Sequence, residues 1–390
     1  MRVSTSMMYD LGRNAMQRQS SDFLHTQQQL ASGRRILKPS DDPVSAARAL
    51  EVSQSKNVNA QFQENQGYAK DNLALVESKL GGIGDILSYV RTRAVESGNA
   101  IHTQAERNAI AADVRAQFGA MLGLANSQDS AGDYLFGGYR TDAAPFADSG
   151  GLDVNYAGDT GDRAMQVSAS RLMPVGVSGD ALFRSLPVDN AVSVYAGNGN
   201  GGTASLTLAM SPLPPDPATL GKRYELRFDG TGYQTIDLSD NSPVGVAGPV
   251  PTIPGVSVSI TGPMGPGDSF EVFVASDNVF DNMALFIDAL ENPGPSGTVG
   301  MTAFALETLD AASENVLTHR AAVGSRLGEI EALEGASGSL DVQYADTLSR
   351  LQDLDYTEAI SRFSQQQTLL EAAQQSFVKV TGLSLFDYLR

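Results

Sequence analysis

The sequence predicts a mainly α protein with a β insert: a long antiparallel helical coiled coil or rod built from both termini, with a central β-rich outer domain. Three observations carry this. Apolar residues recur at three- and four-residue steps through both flanks, which keeps them on one side of a helix. Of 17 prolines, all but Pro39 and Pro43 fall between Pro145 and Pro295, so the flanks are almost free of the residue that most effectively breaks a helix. The middle alternates apolar and polar residues at period two between frequent turn residues. The expected division is an inner terminal coiled coil of 1–43 and 345–390, a helical rod of 44–142 and 300–344 with a small hairpin at 134–140, and an outer domain at 143–299.

In chain order, Met8, Leu11 and Ala15 stand at helical spacing, followed by the polar run Gln27 to Gln29. A first helix ends near Ser32, with Gly33 as the residue just past its end. The segment Pro39 to Asp42 forms a spoke, and either Asp41 or Asp42 can cap the next helix, with Pro43 in its first turn. Phe62, Ala69, Leu73, Val76, Leu80, Ile83, Leu87, Val90 and Ala94 then form a heptad seam, suited to a bundle helix or a coiled coil alike. Gly98 and Asn99 end it. The run Thr103 to Glu106 reads as a capping box that starts another helix, with Ile110, Val114, Phe118 and Leu122 on one face.

Strands are expected at 205–208, 224–228, 256–260 and 270–274, and a helix from Val279 to Leu290. The right flank repeats the helical style through Leu306, Leu309, Val316, Val323, Leu327 and Ile330. After Gly335 to Gly338 a second series runs Tyr356, Ala359, Phe363, Gln366, Leu370, Ala373, Phe377 and Val380. The terminal seams are thin and rich in glutamine, so these helices need each other or neighbouring subunits to fold.

Composition removes several functions. The formal net charge is −18, and the only basic cluster, Arg34, Arg35 and Lys38, is too small for a nucleic-acid footprint. The absence of cysteine removes disulfides, thiolate zinc sites and cysteine nucleophiles. No apolar stretch approaches the roughly 20 residues that cross a bilayer, and Met1 to Asn14 lacks the apolar core of a cleaved signal.

The short motifs point to no catalysis. Gly197, Gly199 and Gly202 match a dinucleotide fingerprint in letters, but a strand follows where a helix N-terminus is required, so a hairpin loop is expected. Ser53 with Lys56 and Ser376 with Lys379 lie on heptad segments without companion motifs. His25, His102 and His319 are dispersed, and Asp153, Asp159 and Asp162 lack the regular oxygen-ligand pattern of a calcium loop. No catalytic residue, cofactor or metal is expected.

Two longer stretches carry a resemblance. Residues Leu30 to Leu50 resemble the N-terminal segment of the flagellin superfamily, and Leu354 to Glu358 its C-terminal signature. The runs Pro39 to Pro43, Asp133 to Gly138, Val323 to Leu327 and Gly382 to Leu389 are similar to the hook–filament junction branch of that superfamily. The resemblance covers 1–146 and 265–390. It implies a structural, non-enzymatic protein of the extracellular bacterial flagellum, exported unfolded by the flagellar type III apparatus without a cleaved signal and helped by a cytoplasmic chaperone. It also implies a ring of subunits between hook-associated protein 1 and flagellin, with no nucleic acid and no membrane insertion. On that reading Met8, Leu11, Ala15, Tyr356, Ala359, Phe363, Leu370, Phe377 and Val380 form the assembly interface, and Gly33, Pro39, Asp41, Asp42 and Pro43 the spoke. The alternatives are a filament flagellin subunit, or a carbohydrate-binding or hydrolase module housed in the insert.

Overall fold

The structure, a computed structural model, describes residues 5–187, 192–209 and 219–388. Long helices come from both ends of the chain: α1 (Thr5–Ser32), α2 (Pro43–Ser97) and α3 (Gln104–Ala125), then α6 (Gly297–Gln352) and α7 (Tyr356–Tyr388). Between them lie β1 (Phe146–Gly150), β2 (Asp153–Tyr156), β3 (Ala164–Ser168), β4 (Arg171–Pro174), the short α4 (Gly179–Phe183) and β5 (Val192–Ala196). They continue with β6 (Ser205–Ala209), β7 (Lys222–Phe228), β8 (Tyr233–Asp237), β9 (Ser242–Pro243), β10 (Ser257–Thr261), β11 (Ser269–Val274) and α5 (Val279–Glu291). This is the mainly α organisation with a β insert that the periodicity predicts. The chain forms two compact units, 1–64 with 334–390, and 65–333.

In the 65–333 unit the heptad seam is a core. Ala69, Leu73, Val76, Leu80, Ile83, Leu87, Val90 and Ala94 are all buried, while Phe62, in the other unit, is only partly so. Thr103 and Glu106 form the expected capping box at the start of α3. Its buried face continues past Phe118 through Met121 to Ala125, with Leu122 partly buried beside it. On α6 the buried stripe is Met301, Phe304, Ala305, Leu309, Ala312, Val316, Val323 and Ile330. Leu306, expected on that stripe, sits at its edge. Helix α6 runs unbroken through Gly335 to Gly338, and the second series begins with α7 at Tyr356. Glycine in a helix interior costs only about 1 kcal/mol, which flanking turns can supply.

The segment after α3 joins this core rather than standing apart from it. Phe280 of α5 lies against Phe118, Phe146 and Phe183, with ring centroids 5.5, 5.4 and 5.4 Å away. The β3–β4 hairpin straps two helices. The carbonyls of Gln166 and Val167 accept the side-chain amides of Asn65 and Gln66 at 2.8 and 2.7 Å, and Arg171 makes a two-point ion pair with Glu329. The run 134–140 closes as a turn, not as paired strands. Tyr134 N donates to Thr141 O at 2.9 Å, and the Asp159 carboxylate accepts the Tyr139 N–H at 3.0 Å.

Among the described residues all strand pairs are antiparallel. The main sheet has the order β5-β11-β7-β8-β9, and β6 pairs with β10. The loop holding Gly197, Gly199 and Gly202 is therefore not a hairpin loop: β5 before it pairs with β11, and β6 after it with β10. Interior strand β11 is buried on both faces. Phe270, Val272 and Val274 enter a second apolar cluster with Tyr224 and Leu226, while Phe273 points into the helical core, as period two requires.

Candidate assembly surface

The terminal helices belong to the unit formed by 1–64 and 334–390, where α1 packs on α7. Their contact is built from few apolar groups. Phe23 stacks on Phe363 with centroids 4.6 Å apart, and Tyr9 meets Phe377 edge-on at 5.0 Å. Gly12 lets the Phe377 ring close in, since a Cβ there would lie 3.0 Å from it. Ala359, Thr26 and Gln29 are buried, and Leu370 is half-buried. The seam is polar at its middle, where the Gln366 side-chain oxygen is buried without a hydrogen-bond partner among the described residues.

Of the expected interface residues, Ala359, Phe363, Leu370 and Phe377 lie on this seam. Leu11 and Ala15 do not: both are exposed, one residue away from the stripe Gly12, Met16, Gln19, Phe23 and Thr26. That stripe follows the 4,3,4,3 spacing, but only Met16 and Phe23 on it are large and apolar, so hydrophobicity alone points to its exposed neighbours. Met8 and Val380 fall within α1 and α7, and their side chains lie outside the described residues. Tyr9, Gly12 and Phe23 were not anticipated. Helical spacing from Phe23 is the signal that finds them.

The spoke holds the ends of α1, α2, α6 and α7 by main-chain bonds. Gly33 adopts φ +69°, the left-handed conformation of a helix-terminating residue, and its N–H reaches Gln29 O at 2.9 Å. The Tyr356 hydroxyl lies 2.9 Å from where a Cβ would stand on Gly33. Arg35 N donates to Gln352 O at 2.7 Å, and Leu354 N to Gly33 O at 3.0 Å. The two spoke aspartates divide the work. Asp42 caps α2 by accepting the Ser45 N–H at 3.1 Å, with Pro43 as the first helical residue, while Asp41 accepts the N–H groups of Leu37 and Lys38 at 3.0 and 2.9 Å. The Lys38 N–H, followed by the Leu37 N–H and His25, holds the Asp41 carboxyl below its ordinary range. Ser45, then Arg35, does the same for Asp42. Pro39 is exposed within the turn.

Beside the spoke is a cavity of about 380 Å³, lined by cations such as Arg35 and Arg362 and carboxylates such as Asp41, Asp355 and Glu358. Its charges are largely paired within the chain, unlike the mostly apolar lining of a small-molecule site. Lys56 pairs with Asp341 at 3.7 Å, while Ser376 and Lys379 are exposed on α7. Among the described residues no group of three or more His, Asp or Glu could hold a metal, and no helix is long and apolar enough to cross a membrane.

Among the many polar residues that the terminal helices leave outside, several large apolar ones stand exposed. Met7, Leu11 and Leu24 on α1, and Tyr356, Ile360, Leu369 and Val378 on α7, are about half or more exposed. Scattered exposed apolar residues are ordinary, but two thin helices carrying this many have little of their apolar surface inside the chain.

Residues 3–141 match the bacterial flagellin N-terminal helical region. The chain is 26% identical over 393 residues to flagellar hook-associated protein 3 of Escherichia coli K12, covering 99% of both proteins. The same identity and coverage hold for flagellar hook-associated protein 3 of Salmonella typhimurium LT2. Among solved structures, FlgL of Xanthomonas campestris is 27% identical with a TM-score of 0.56, covering 76% of this chain and 99% of that one. The chain is thus similar, along almost its whole length, to proteins named flagellar hook-associated protein 3, and over residues 3–141 to the bacterial flagellin N-terminal helical region.

Proposed function

We propose that this protein is a structural, non-enzymatic subunit of the bacterial flagellum, joining the hook to the flagellin filament. On this reading it assembles as a ring through its terminal helices, with hook-associated protein 1 on one side and flagellin on the other. It leaves the cell through the flagellar export apparatus without a cleaved signal, with a cytoplasmic chaperone on its C-terminal region. Residues 1–43 and 345–390 form the inner layer, 44–142 and 300–344 the rod, and 143–299 the outward part.

The observation that carries the proposal is the set of exposed apolar side chains on α1 and α7, Leu11, Tyr356, Ile360 and Val378 among them. Each helix has one narrow seam turned to its partner and leaves further apolar residues in water. A neighbouring copy that covers those residues repeats the gain at every subunit of a closed ring. The homology to hook-associated protein 3 supports the place of that ring at the hook tip.

The test is a strain deleted for the gene. It should build hooks yet release flagellin into the medium, and the wild-type chain supplied in trans should restore filaments. Filaments that grow normally without the gene would overturn the proposal. Purified protein that polymerises alone into long filaments would favour a filament subunit instead.

A further inference from the structure

The chain has two Asn-Gly dipeptides, Asn198-Gly199 and Asn200-Gly201, in the same loop between β5 and β6. An asparagine followed by glycine is chemically vulnerable, because the next backbone nitrogen meets no side chain as it approaches the asparagine Cγ. The loop treats the two dipeptides in opposite ways.

Asn200 is held. Its Oδ1 accepts the Ser269 N–H at 2.8 Å, and its Nδ2 donates to Ser269 O at 2.8 Å. The attacking nitrogen, that of Gly201, already donates to Asp268 Oδ1 at 2.8 Å. Two other asparagines before small residues are guarded too. Asn126 binds Phe146 through both side-chain atoms, and the Ser242 N–H after Asn241 is bonded to Asp240.

Asn198 is not held. Asn198 and Gly199 are both exposed central residues of a turn closed by Asn200 N and Gly197 O at 3.2 Å. The Gly199 N–H takes no hydrogen-bond partner among the described residues. The Asn198 amide also lies beside the start of α6: its Nδ2 is 2.5 Å from where a Cβ would stand on Gly297, the first residue of that helix. The first turn of α6 carries no acidic residue, although an anion is favourable there.

We propose that Asn198 is a site of spontaneous covalent modification, converting to aspartate and isoaspartate and placing a carboxylate at the N-terminal end of α6. The Gly199 nitrogen loses its proton and bonds to Asn198 Cγ. The bond from Cγ to the side-chain nitrogen breaks, and ammonia leaves with that proton. Water then opens the cyclic imide at either carbonyl, giving the normal or the rearranged backbone. No oxidant or enzyme is required.

The test uses the purified full chain, held warm at mildly alkaline pH, then digested and read by mass spectrometry. Asn198 should convert faster than Asn200 by about tenfold, equivalent to ~1.4 kcal/mol in barrier. In urea, where Ser269 and Asp268 no longer protect Asn200, the two rates should converge. A Gly199→Ala variant should slow conversion at 198 by a similar factor while keeping the wild-type circular dichroism. A Cβ at 199 meets nothing within 4 Å, and Gly199 is not among the positive-φ glycines. Equal rates at 198 and 200 in the folded chain, a ratio unchanged by urea, or an unaltered rate in Gly199→Ala would each overturn the proposal.

Discussion

Arg223 and Glu271 meet at 3.0 Å in the 65–333 unit, each only 1% exposed. They lie diagonally on neighbouring strands β7 and β11, where Arg223 stands opposite Phe273 and Glu271 opposite Glu225. The same guanidinium reaches Asp288 of α5 at 2.6 Å and the Asn292 carbonyl at 2.9 Å, and Glu271 also accepts the N–H and hydroxyl of Ser296. The network therefore joins the central sheet to the end of α5 and the approach to α6. A buried pair of this kind adds little over a well-packed apolar replacement, but losing one partner strands a buried charge.

Arg223→Ala should accordingly destabilise the 65–333 unit by about 3–5 kcal/mol, a large share of an ordinary domain's stability. Replacing Arg223 by Met together with Glu271 by Leu should cost much less. Urea unfolding followed by tryptic release of sheet peptides measures both. A single variant as stable as the wild type would show that the network holds nothing together.

The second prediction concerns pH. Burial is the main cause that holds His319 below its ordinary value of 6.5; Arg326 acts in the same sense, opposed by the Ala181 carbonyl and Asp162. The folded protein thus takes up this proton at lower pH than the unfolded chain. Stability is unaffected above the unfolded value, begins to fall as pH drops through about 6.5, and is fully reduced below the folded value. His319→Gln should flatten the fall in melting temperature between about pH 7 and pH 5. Asp41 and Asp42 act in the opposite sense and at lower pH. Their lowered values give the spoke stability that is complete above the unfolded carboxylate range and lost as pH falls through the folded values. The His319 variant should leave that acidic limb unchanged.

A third prediction follows from Gly33. At φ +69°, any residue with a Cβ is strained by about 1–2 kcal/mol, and here it also meets the Tyr356 hydroxyl. Gly33→Ala should therefore raise amide exchange in α1 and α7, while the seam Ala69 to Ala94 keeps its protection. Exchange that rises equally in both units would contradict a local role for the turn.

Local devices were legible in the sequence wherever a few neighbouring residues suffice. The box of Thr103 and Glu106, the turn at Gly33 and the seam from Ala69 to Ala94 each draw on contacts within a helix turn or a strong apolar contrast. The stripe of α1 that packs on α7 is hard to read from the sequence because Gly12, Gln19 and Thr26 give little contrast against exposed Leu11. The loop at Gly197 was misjudged because the partner of β5 is β11, far along the chain, and nothing within the loop encodes that pairing. The union of Arg223, Glu271 and Asp288 was invisible for the same reason. The place of Phe280 in the helical core was not legible because helix periodicity says which face is apolar, not which partner will cover it.

The last prediction separates folding from assembly on the terminal helices. Phe23 and Phe363 stack within one chain, so a double-mutant cycle between them should show a coupling of about 0.5–1.5 kcal/mol in monomer stability. Ile360 and Val378 are exposed on α7, at 55% and 68%. Changing them to Ser should move monomer stability by no more than about 0.5 kcal/mol, as for other surface sites. In a ring, each such change removes an apolar contact at every subunit, so incorporation at the hook tip should fail although the monomer folds. Secretion must be measured in the same strains, because a chain retained in the cell never reaches the tip. The decisive result is a pair of variants that are exported equally: Phe363→Ala with a weakened monomer, and Ile360→Ser combined with Val378→Ser with a normal monomer and no junction. If the doubly substituted chain is secreted and caps hooks normally, the outer face of α7 is not the assembly surface, and the subunit contact must be sought elsewhere on the chain.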